Sequence, residues 1–442
     1  MSEEIVLSYE LNRDMLQRGL KNQKTITRFC FYTHENFVKK YPVTACDIIF
    51  VVDTSGSMDE KFTAGSTMSK RDGVVSAIES ILPHLSEQDS VSLVCYDSNA
   101  YLELDHARGN DIGKIRKAMD AIFKRSGATN FEEAFKISSA VCAAGKNASK
   151  KMIFLTDGNS NVGKIKTAEK YNRTLAGQGV TVDCLGVGGD FNFKQMQQFS
   201  GVSSGRTELL DIPEAAGTIF LELLEGAQTS LINNAVLRFD IPAGTRDIEL
   251  YQLTPEIRYF DTLSSSPDGS VNHRINLQNI TQTNEYYFLI QTACDIPKDS
   301  AIPNLELLTA RLDFDIPIMG EKGLHAEQTI TLNLTGNKDN ELRDTGVDSD
   351  FMEASIEKLD QETSLYAVKN DWKKVAQLLN EMYRISDKLG YSDKAEEFQR
   401  RLDSLKKSGT LKAEDLNIIG KMSSSSSRYN RGEREADNDD LF

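Results

Sequence analysis

A carboxylate and two hydroxyl side chains lie close together in the sequence, directly after an apolar run. Asp53, Ser55 and Ser57 belong to the segment DTSGSM at residues 53–58, which follows DIIFVV at residues 47–52. The apolar run is rich in β-branched residues and does not alternate, so it predicts a central strand of a parallel sheet. Ligands of such sheets bind beyond the carboxyl ends of the strands. Because the three side chains offer only oxygen, they favour Mg²⁺ or another small divalent ion over zinc or copper.

Two further segments add oxygen donors to this motif. The apolar run MIFL at residues 152–155 leads to Asp157, and the loop SGATN at residues 126–130 presents the hydroxyl of Thr129. Here the chain resembles the von Willebrand factor A (VWA) family, whose metal-ion-dependent adhesion site has the pattern D-x-S-x-S, then a loop threonine, then an aspartate after the fourth strand. Asp53, Ser55, Ser57, Thr129 and Asp157 match the five positions in order. The resemblance implies a metal site for Mg²⁺, with Mn²⁺ and Ca²⁺ as alternatives.

A simpler interpretation of the hexapeptide is a turn that caps a helix, since Asp and Ser often accept hydrogen bonds from the first amides of a helix. Thr129 and Asp157, in the right order and spacing, favour the metal site. A long polar loop at residues 59–69 departs from a compact site. It is interpreted as a lid, a partner contact or a tolerated insertion.

The spacing of apolar residues divides the chain into regions. Residues 44–228 alternate strand-like and helix-like segments, which predicts an α/β domain with a mostly parallel sheet; the VWA resemblance implies six strands in a Rossmann-like order. Residues 229–340 have a period near 2 and predict an antiparallel β-sandwich. Strand-like segments within residues 1–40 are expected to complete that sandwich, so that the α/β domain is inserted in it. This order resembles a group of bacterial VWA proteins labelled calcium-activated chloride channel homologues.

The remaining residues change composition twice. Apolar stripes at helical spacing between residues 350 and 421 predict a helical hairpin or small bundle. Residues 422–442 begin with a serine run and end in acidic residues, which predicts a disordered tail. The tail is interpreted as a solubilising segment, with a short docking motif at its acidic tip as the sharper hypothesis.

Overall composition excludes several classes of partner. The 442 residues suffice for two or three domains, and the net charge of −15 argues against nucleic acid or an anionic membrane surface. No apolar run approaches the roughly 18 residues of a membrane span, and a cytoplasmic location is expected. The six cysteines are scattered singly, as buried apolar residues would be. The segment GVGGD at residues 186–190 is predicted to be a turn, with Asp190 or Asn192 capping the next helix.

The chemistry of the oxygen donors predicts a binding function. The VWA resemblance implies that hydroxyls take much of the metal's shell while Asp53 and Asp157 act partly through water. The ion is then left under-neutralised, so an Asp or Glu of a protein partner can complete its coordination. The chain is therefore expected to be a cation-dependent protein-interaction module. A metal-dependent hydrolase is the alternative; it needs a base or nucleophile, and the three loops themselves contain no His, Cys or Lys. A scaffold with a vestigial metal site is a third hypothesis. The partner and the oligomeric state stay open.

Overall fold

Three strands and a short helix precede the DTSGSM segment. The structure is a computed structural model, and it describes residues 4–41, 43–62, 66–188, 191–210, 213–260, 266, 268–282, 285–336 and 342–425. The first elements are β1 (Ile5–Leu11), β2 (Met15–Gln17), β3 (Gln23–Thr33) and α1 (Glu35–Lys40).

The next region, residues 46–228, alternates strands and helices as its apolar pattern predicts. Its elements are β4 (Cys46–Asp53), α2 (Lys70–Ile81), β5 (Ser90–Tyr96), β6 (Ala100–Arg108), α3 (Ile112–Met119), α4 (Phe131–Ala144), β7 (Ser149–Thr156), α5 (Ile165–Gly177), β8 (Val180–Val187), α6 (Phe193–Gly201), β9 (Thr207–Leu210) and α7 (Pro213–Gln228). We call this region the α/β domain.

The sheet of the α/β domain has six strands in the order β6-β5-β4-β7-β8-β9. All neighbouring strands are parallel except β5 and β6. Strand β4 is central and buried throughout, since Phe50 packs into the apolar core on one face of the sheet and Val51 into the core on the other. Burial on both faces explains why its sequence does not alternate. Because β4 and β7 are parallel neighbours, the side chains that follow them lie at the same edge.

Two five-stranded sheets flank the α/β domain in sequence. The second part of this two-sheet region contains β10 (Ser230–Ile241), β11 (Thr245–Gln252), β12 (Arg258–Phe260), β13 (Val271–Thr281), β14 (Tyr286–Cys294), β15 (Asn304–Ile316) and β16 (Glu321–Thr335). The orders are β1-β3-β14-β11-β12 and β13-β10-β15-β16-β2. Phe29 and Phe31 of one sheet share an apolar core with Leu237 and Phe239 of the other. The N-terminal strands therefore pair with strands that follow the α/β domain, which is an insertion between them.

Four helices follow the two sheets: α8 (Thr345–Val368), α9 (Trp372–Lys388), α10 (Ser392–Ser408) and α11 (Ala413–Ser424). The predicted tail, residues 422–442, begins too early, because Ser423 and Ser424 are buried in the last turn of α11. The hydroxyl of Ser423 donates to the carbonyl of Ile419, which lets serine continue a helix. Residues 426–442, with the acidic tip, lie outside the described part of the chain. No helix within the described residues is both long and apolar enough to cross a bilayer.

One face of α8 carries buried carboxylates that pair with cations from other regions. Asp350 accepts from Arg28 of β3, and Glu353 accepts from Lys394 of α10 at 2.8 Å. Lys194 of α6 pairs with two more carboxylates of the same face, Glu357 at 3.3 Å and Asp360. The α/β domain, the two sheets and the helical region therefore meet along this buried acidic face of α8.

Candidate functional site

The five sequence-predicted oxygen donors follow strands or precede a helix at the carboxyl edge of the parallel sheet. Asp53 is the last residue of β4, and Ser55 and Ser57 stand in the turn that follows. Asp157 comes one residue after β7, and Thr129 lies two residues before α4. The topology thus places three separate chain segments at one edge, where parallel sheets bind their ligands.

Hydrogen bonds join four of the five side chains into one cluster. The amide of Ser55 donates to Oδ1 of Asp53 at 2.8 Å, and the Oγ atoms of Ser55 and Ser57 lie 3.2 Å apart. Ser57 Oγ donates to Oδ1 of Asp157 at 2.9 Å. Thr156, at the end of β7, donates its hydroxyl to Oδ2 of Asp53 at 2.8 Å. The segment that carries Asp53, Ser55 and Ser57 is therefore in direct contact with the segment that carries Asp157.

The loop that carries Thr129 is fixed to the other two segments through its backbone. The amide of Gly56 donates to the carbonyl of Gly127 at 3.2 Å. The amide of Thr129 donates to Oδ1 of Asn161 at 2.8 Å, and its carbonyl accepts from the amide of Asn161 at 3.0 Å. Asn161 belongs to the loop that follows Asp157, so this bond pair ties the backbone of Thr129 to that loop, while no hydrogen bond among the described residues joins the Thr129 side chain to the other four donors. Thr129 itself is buried.

The carboxylates of Asp53 and Asp157 are both buried at this edge, and this changes the pKa of Asp53. Burial, with a smaller contribution from the nearby charge of Asp157, raises the pKa of the Asp53 carboxyl to about 6, although hydrogen bonds from Ser55 and Thr156 lower it. Like charges in a desolvated site are stabilised by a cation. The electrostatics of the cluster therefore favour a positive ion at this edge.

Arg71 clamps the backbone of the turn after β4. Its Nη2 atom donates to the carbonyls of Thr54 at 3.1 Å and Ser55 at 3.2 Å, and its Nη1 atom donates to the carbonyl of Ile122 at 2.9 Å. The guanidinium is buried and satisfies carbonyls that have no strand partner. Arg71 in this way fixes the backbone that carries the hydroxyls of Ser55 and Ser57.

Lys70, which the sequence analysis did not connect with the site, also contacts it. Lys70, the first residue of α2, donates from Nζ to Oδ2 of Asp157 at 2.7 Å and lies 3.3 Å from Oε2 of Glu60. Burial lowers the pKa of Lys70, but its bonds with Asp157 and Glu60 raise it above the ordinary value. The three loops themselves contain no lysine, but the expectation that none accompanies them is wrong in space, because Lys70 contacts Asp157. The sequence signal that could have indicated this contact is the position of Lys70 directly after Ser69, the N-cap of α2.

The lysines that were considered lie elsewhere. Lys150 and Lys151 stand at the start of β7, at the opposite edge of the sheet, where they bond Cys142 and Asp183. In the glycine-rich segment, Asn192 caps α6 by accepting from the amide of Gln195, whereas the other proposed cap, Asp190, falls outside the described residues.

The donor geometry fits a small divalent ion. An octahedral shell with metal–oxygen distances of about 2.1 Å has edges of about 3 Å between neighbouring oxygens. The Ser55–Ser57 and Ser57–Asp157 separations, 3.2 and 2.9 Å, match such edges. In the described residues no three or more His, Cys, Asp or Glu side chains are grouped to hold a metal. A metal at this edge would thus depend on hydroxyl donors as well as the two carboxylates.

Comparison with known proteins identifies the α/β domain. Residues 47–211 match the family model described as the von Willebrand factor type A domain. A protein of Synechocystis sp. described as uncharacterised is 26% identical over 204 residues, which cover 46% of this chain and 46% of that protein. The chain therefore spans about half the length of this relative.

Two solved structures share the fold over nearly the whole chain. A von Willebrand factor type A protein from Catenulispora acidiphila superposes with a TM-score of 0.75 at 15% identity, covering 96% of this chain and 98% of that one. The ArnB paralog VWA2 from Sulfolobus acidocaldarius superposes with a TM-score of 0.54 at 12% identity, covering 95% and 98%. At these identities the likeness concerns the fold alone, and it includes the regions that flank the α/β domain.

Proposed function

We propose that this chain, which contains a VWA domain at residues 47–211, binds a protein partner through a divalent cation held at the carboxyl edge of its parallel sheet. VWA domains commonly serve as protein-interaction modules. Asp53, Ser55, Ser57, Thr129 and Asp157 hold Mg²⁺, with Mn²⁺ or Ca²⁺ as alternatives, and an Asp or Glu of the partner completes the coordination. The contact of Ser57 with Asp157 across two chain segments is the observation that carries the proposal.

The ligand chemistry favours binding over catalysis. Hydroxyl groups donate little charge to a divalent ion, so the ion keeps a strong attraction for an incoming carboxylate. A hydrolase at the same ion needs a general base. Lys70, the basic side chain at the cluster, donates to Asp157 and Glu60 and is held as an ammonium ion. It supports the charge balance of a binding site and not proton abstraction.

Calorimetric titration with Mg²⁺ and Mn²⁺ tests the metal part of the proposal. We expect one site in the wild-type chain and loss of binding in Ser57→Ala, since the hydroxyl bridges Ser55 and Asp157. Ser80→Ala is the matched control, because its hydroxyl donates to the Ala77 carbonyl within α2 and does not contact the cluster. Equal titration curves for the wild type and Ser57→Ala would contradict the proposed ligand set.

Affinity capture tests the partner. The immobilised chain should retain proteins from an extract of its native organism in Mg²⁺ and release them on addition of a chelator. The same proteins should bind Ser80→Ala and fail to bind Ser57→Ala. Retention that neither chelator nor Ser57→Ala changes would assign the interaction to another surface.

A further inference from the structure

Lys70 places a fixed positive charge beside the proposed metal ligands. Its Nζ atom lies 2.7 Å from Oδ2 of Asp157, and both side chains are almost fully buried, at 5% and 0% exposure. The second partner, Glu60, lies 3.3 Å away and is 65% exposed. Water screens the charge of Glu60, so Asp157 is the main counter-charge of the lysine.

The fold is built so that Lys70 reaches this position. Ser69 and Asp72 form a capping box that fixes the start of α2, and the amide of Lys70 donates to the carbonyl of Glu60 at 2.9 Å. The lysine stem passes Gly188, which has a φ of +83°, and a Cβ atom there would lie 3.1 Å from Lys70 Cε. A side chain at residue 188 would therefore crowd the lysine.

The loop at residues 59–69 is also anchored at its base, next to Lys70. Phe62 is buried, and its ring lies so close to Gly73 of α2 that a Cβ atom there would be 2.3 Å from two ring carbons. The amide of Phe62 donates to the carbonyl of Met68 at 3.0 Å, which closes the loop. The base of the loop is thus fixed, and the ammonium group is held at the cluster by structure on both sides.

The charges of the described cluster are unusual for a site that must hold a divalent cation alone. Asp53 and Asp157 contribute two negative charges and Lys70 contributes one positive charge, which leaves a net charge of about −1 for a 2+ ion. The neighbouring Arg71 has its own counter-charge, since its Nε atom lies 3.1 Å from Oδ1 of Asp59. A bound ion would leave the site positive. One further carboxylate restores neutrality.

We propose that Lys70 is a specificity-determining residue that weakens metal binding by the chain alone and makes it depend on the arrival of an acidic ligand. The inference rests on the proposed function and assigns a regulatory part to a residue outside the five metal donors. The cation and the carboxylate then bind cooperatively, and by linkage each raises the affinity for the other by the same factor. Loading with metal occurs mainly when the partner is present.

Titration of the full chain with Mn²⁺, in the absence and presence of acetate as the carboxylate probe, tests the inference. In the wild type, acetate should tighten Mn²⁺ binding. Lys70→Gln keeps a donor for Asp157 and removes the charge, so Mn²⁺ alone should bind roughly tenfold tighter or more, and the gain from acetate should shrink. Lys70→Arg should restore wild-type behaviour. Lys61→Gln, which removes a positive charge from the exposed part of the same loop, is the matched control and should behave as the wild type.

The outcomes separate the inference from the proposed function. Equal Mn²⁺ affinity in the wild type and Lys70→Gln, or an equal gain from acetate in both, would overturn the role of Lys70 while leaving the metal site intact. Absence of an acetate effect in the wild type would overturn it without any variant, which covers the case that Lys70→Gln does not fold. Absence of Mn²⁺ binding in every protein, with or without acetate, would instead refute the proposed function.

Discussion

Replacing Lys194 by methionine should destabilise the junction between the α/β domain and the helical region. Lys194 Nζ lies 3.3 Å from Oε1 of Glu357 and also bonds Asp360. Both carboxylates are 1% exposed, whereas the lysine side chain is 26% exposed. The methionine retains most of the apolar stem and removes the charge, so the variant leaves two buried carboxylates without their shared cation.

The size of the effect follows from what those carboxylates can do. Removing one partner of a buried ion pair costs about 3 to 5 kcal/mol. A carboxyl group can also escape by taking up a proton, which at pH 7.5 costs about 4 kcal/mol for an ordinary carboxyl pKa. Both routes give a loss of at least about 4 kcal/mol in the free energy of unfolding, since the proton cost applies to each carboxyl that must be neutralised. Because neutral carboxyls need no counter-charge, the loss should shrink markedly at pH 5.

Urea denaturation followed by circular dichroism measures this loss. Lys136→Met is the control, since Lys136 is 49% exposed and pairs with Glu133 on the surface of α4; its unfolding curve should stay close to that of the wild type. The triple variant Lys194→Met with Glu357→Gln and Asp360→Asn should recover much of the stability. A Lys194→Met variant as stable as Lys136→Met at pH 7.5, or a loss that does not change with pH, would refute the argument.

Three further predictions concern the junction and the site. Burial raises the pKa of Glu357, so the folded chain binds more protons than the unfolded chain. The free energy of unfolding should therefore fall as the pH rises above the pKa of Glu357 in the unfolded chain, about 4.3. Glu357→Gln should make this pH dependence weaker in denaturation curves. Phe62→Ala should lower the free energy of unfolding by about 3 kcal/mol, because its packing against Gly73 is lost. Limited proteolysis within residues 59–69 should become faster, and unchanged cleavage would contradict the anchoring. Gly188→Ala should cost about 1 to 3 kcal/mol in thermal denaturation, because of its positive φ and its contact with Lys70; an unchanged Tm would argue against that contact.

The sequence predicted the parallel sheet and the edge at which the oxygen-bearing side chains meet, because both depend on local signals. Uninterrupted apolar runs mark β4 and β7 as buried parallel strands, and the residues that follow such strands must meet at one edge. The oxygen-only side chains Asp53, Ser55 and Asp157 are the basis on which we propose a divalent cation as the ligand. The pairing of the N-terminal strands with later ones was also predictable, since their period is that of a strand and not of a helix.

The parts that the sequence did not predict depend on contacts between distant segments. Lys70 reaches Asp157 past Gly188 and beside the contact of Phe62 with Gly73, and no periodicity encodes such a route. The acidic face of α8 has the pattern of a solvent-exposed helix face, and its cations come from three other elements. Ser423 and Ser424 resemble a linker by composition but are helical, because tertiary burial outweighs their weak helix propensity.

A crystal of the chain grown with Mn²⁺ and an added carboxylate gives the most direct test of the central claim, through the anomalous scattering of the ion. The account predicts one strong peak at the carboxyl edge of the parallel sheet, about 2.1 Å from the hydroxyl oxygens of Ser55 and Ser57 and beside Thr129, Asp53 and Asp157. A crystal that binds Mn²⁺ elsewhere, or whose hydroxyls at this edge face away from any ion, would contradict it.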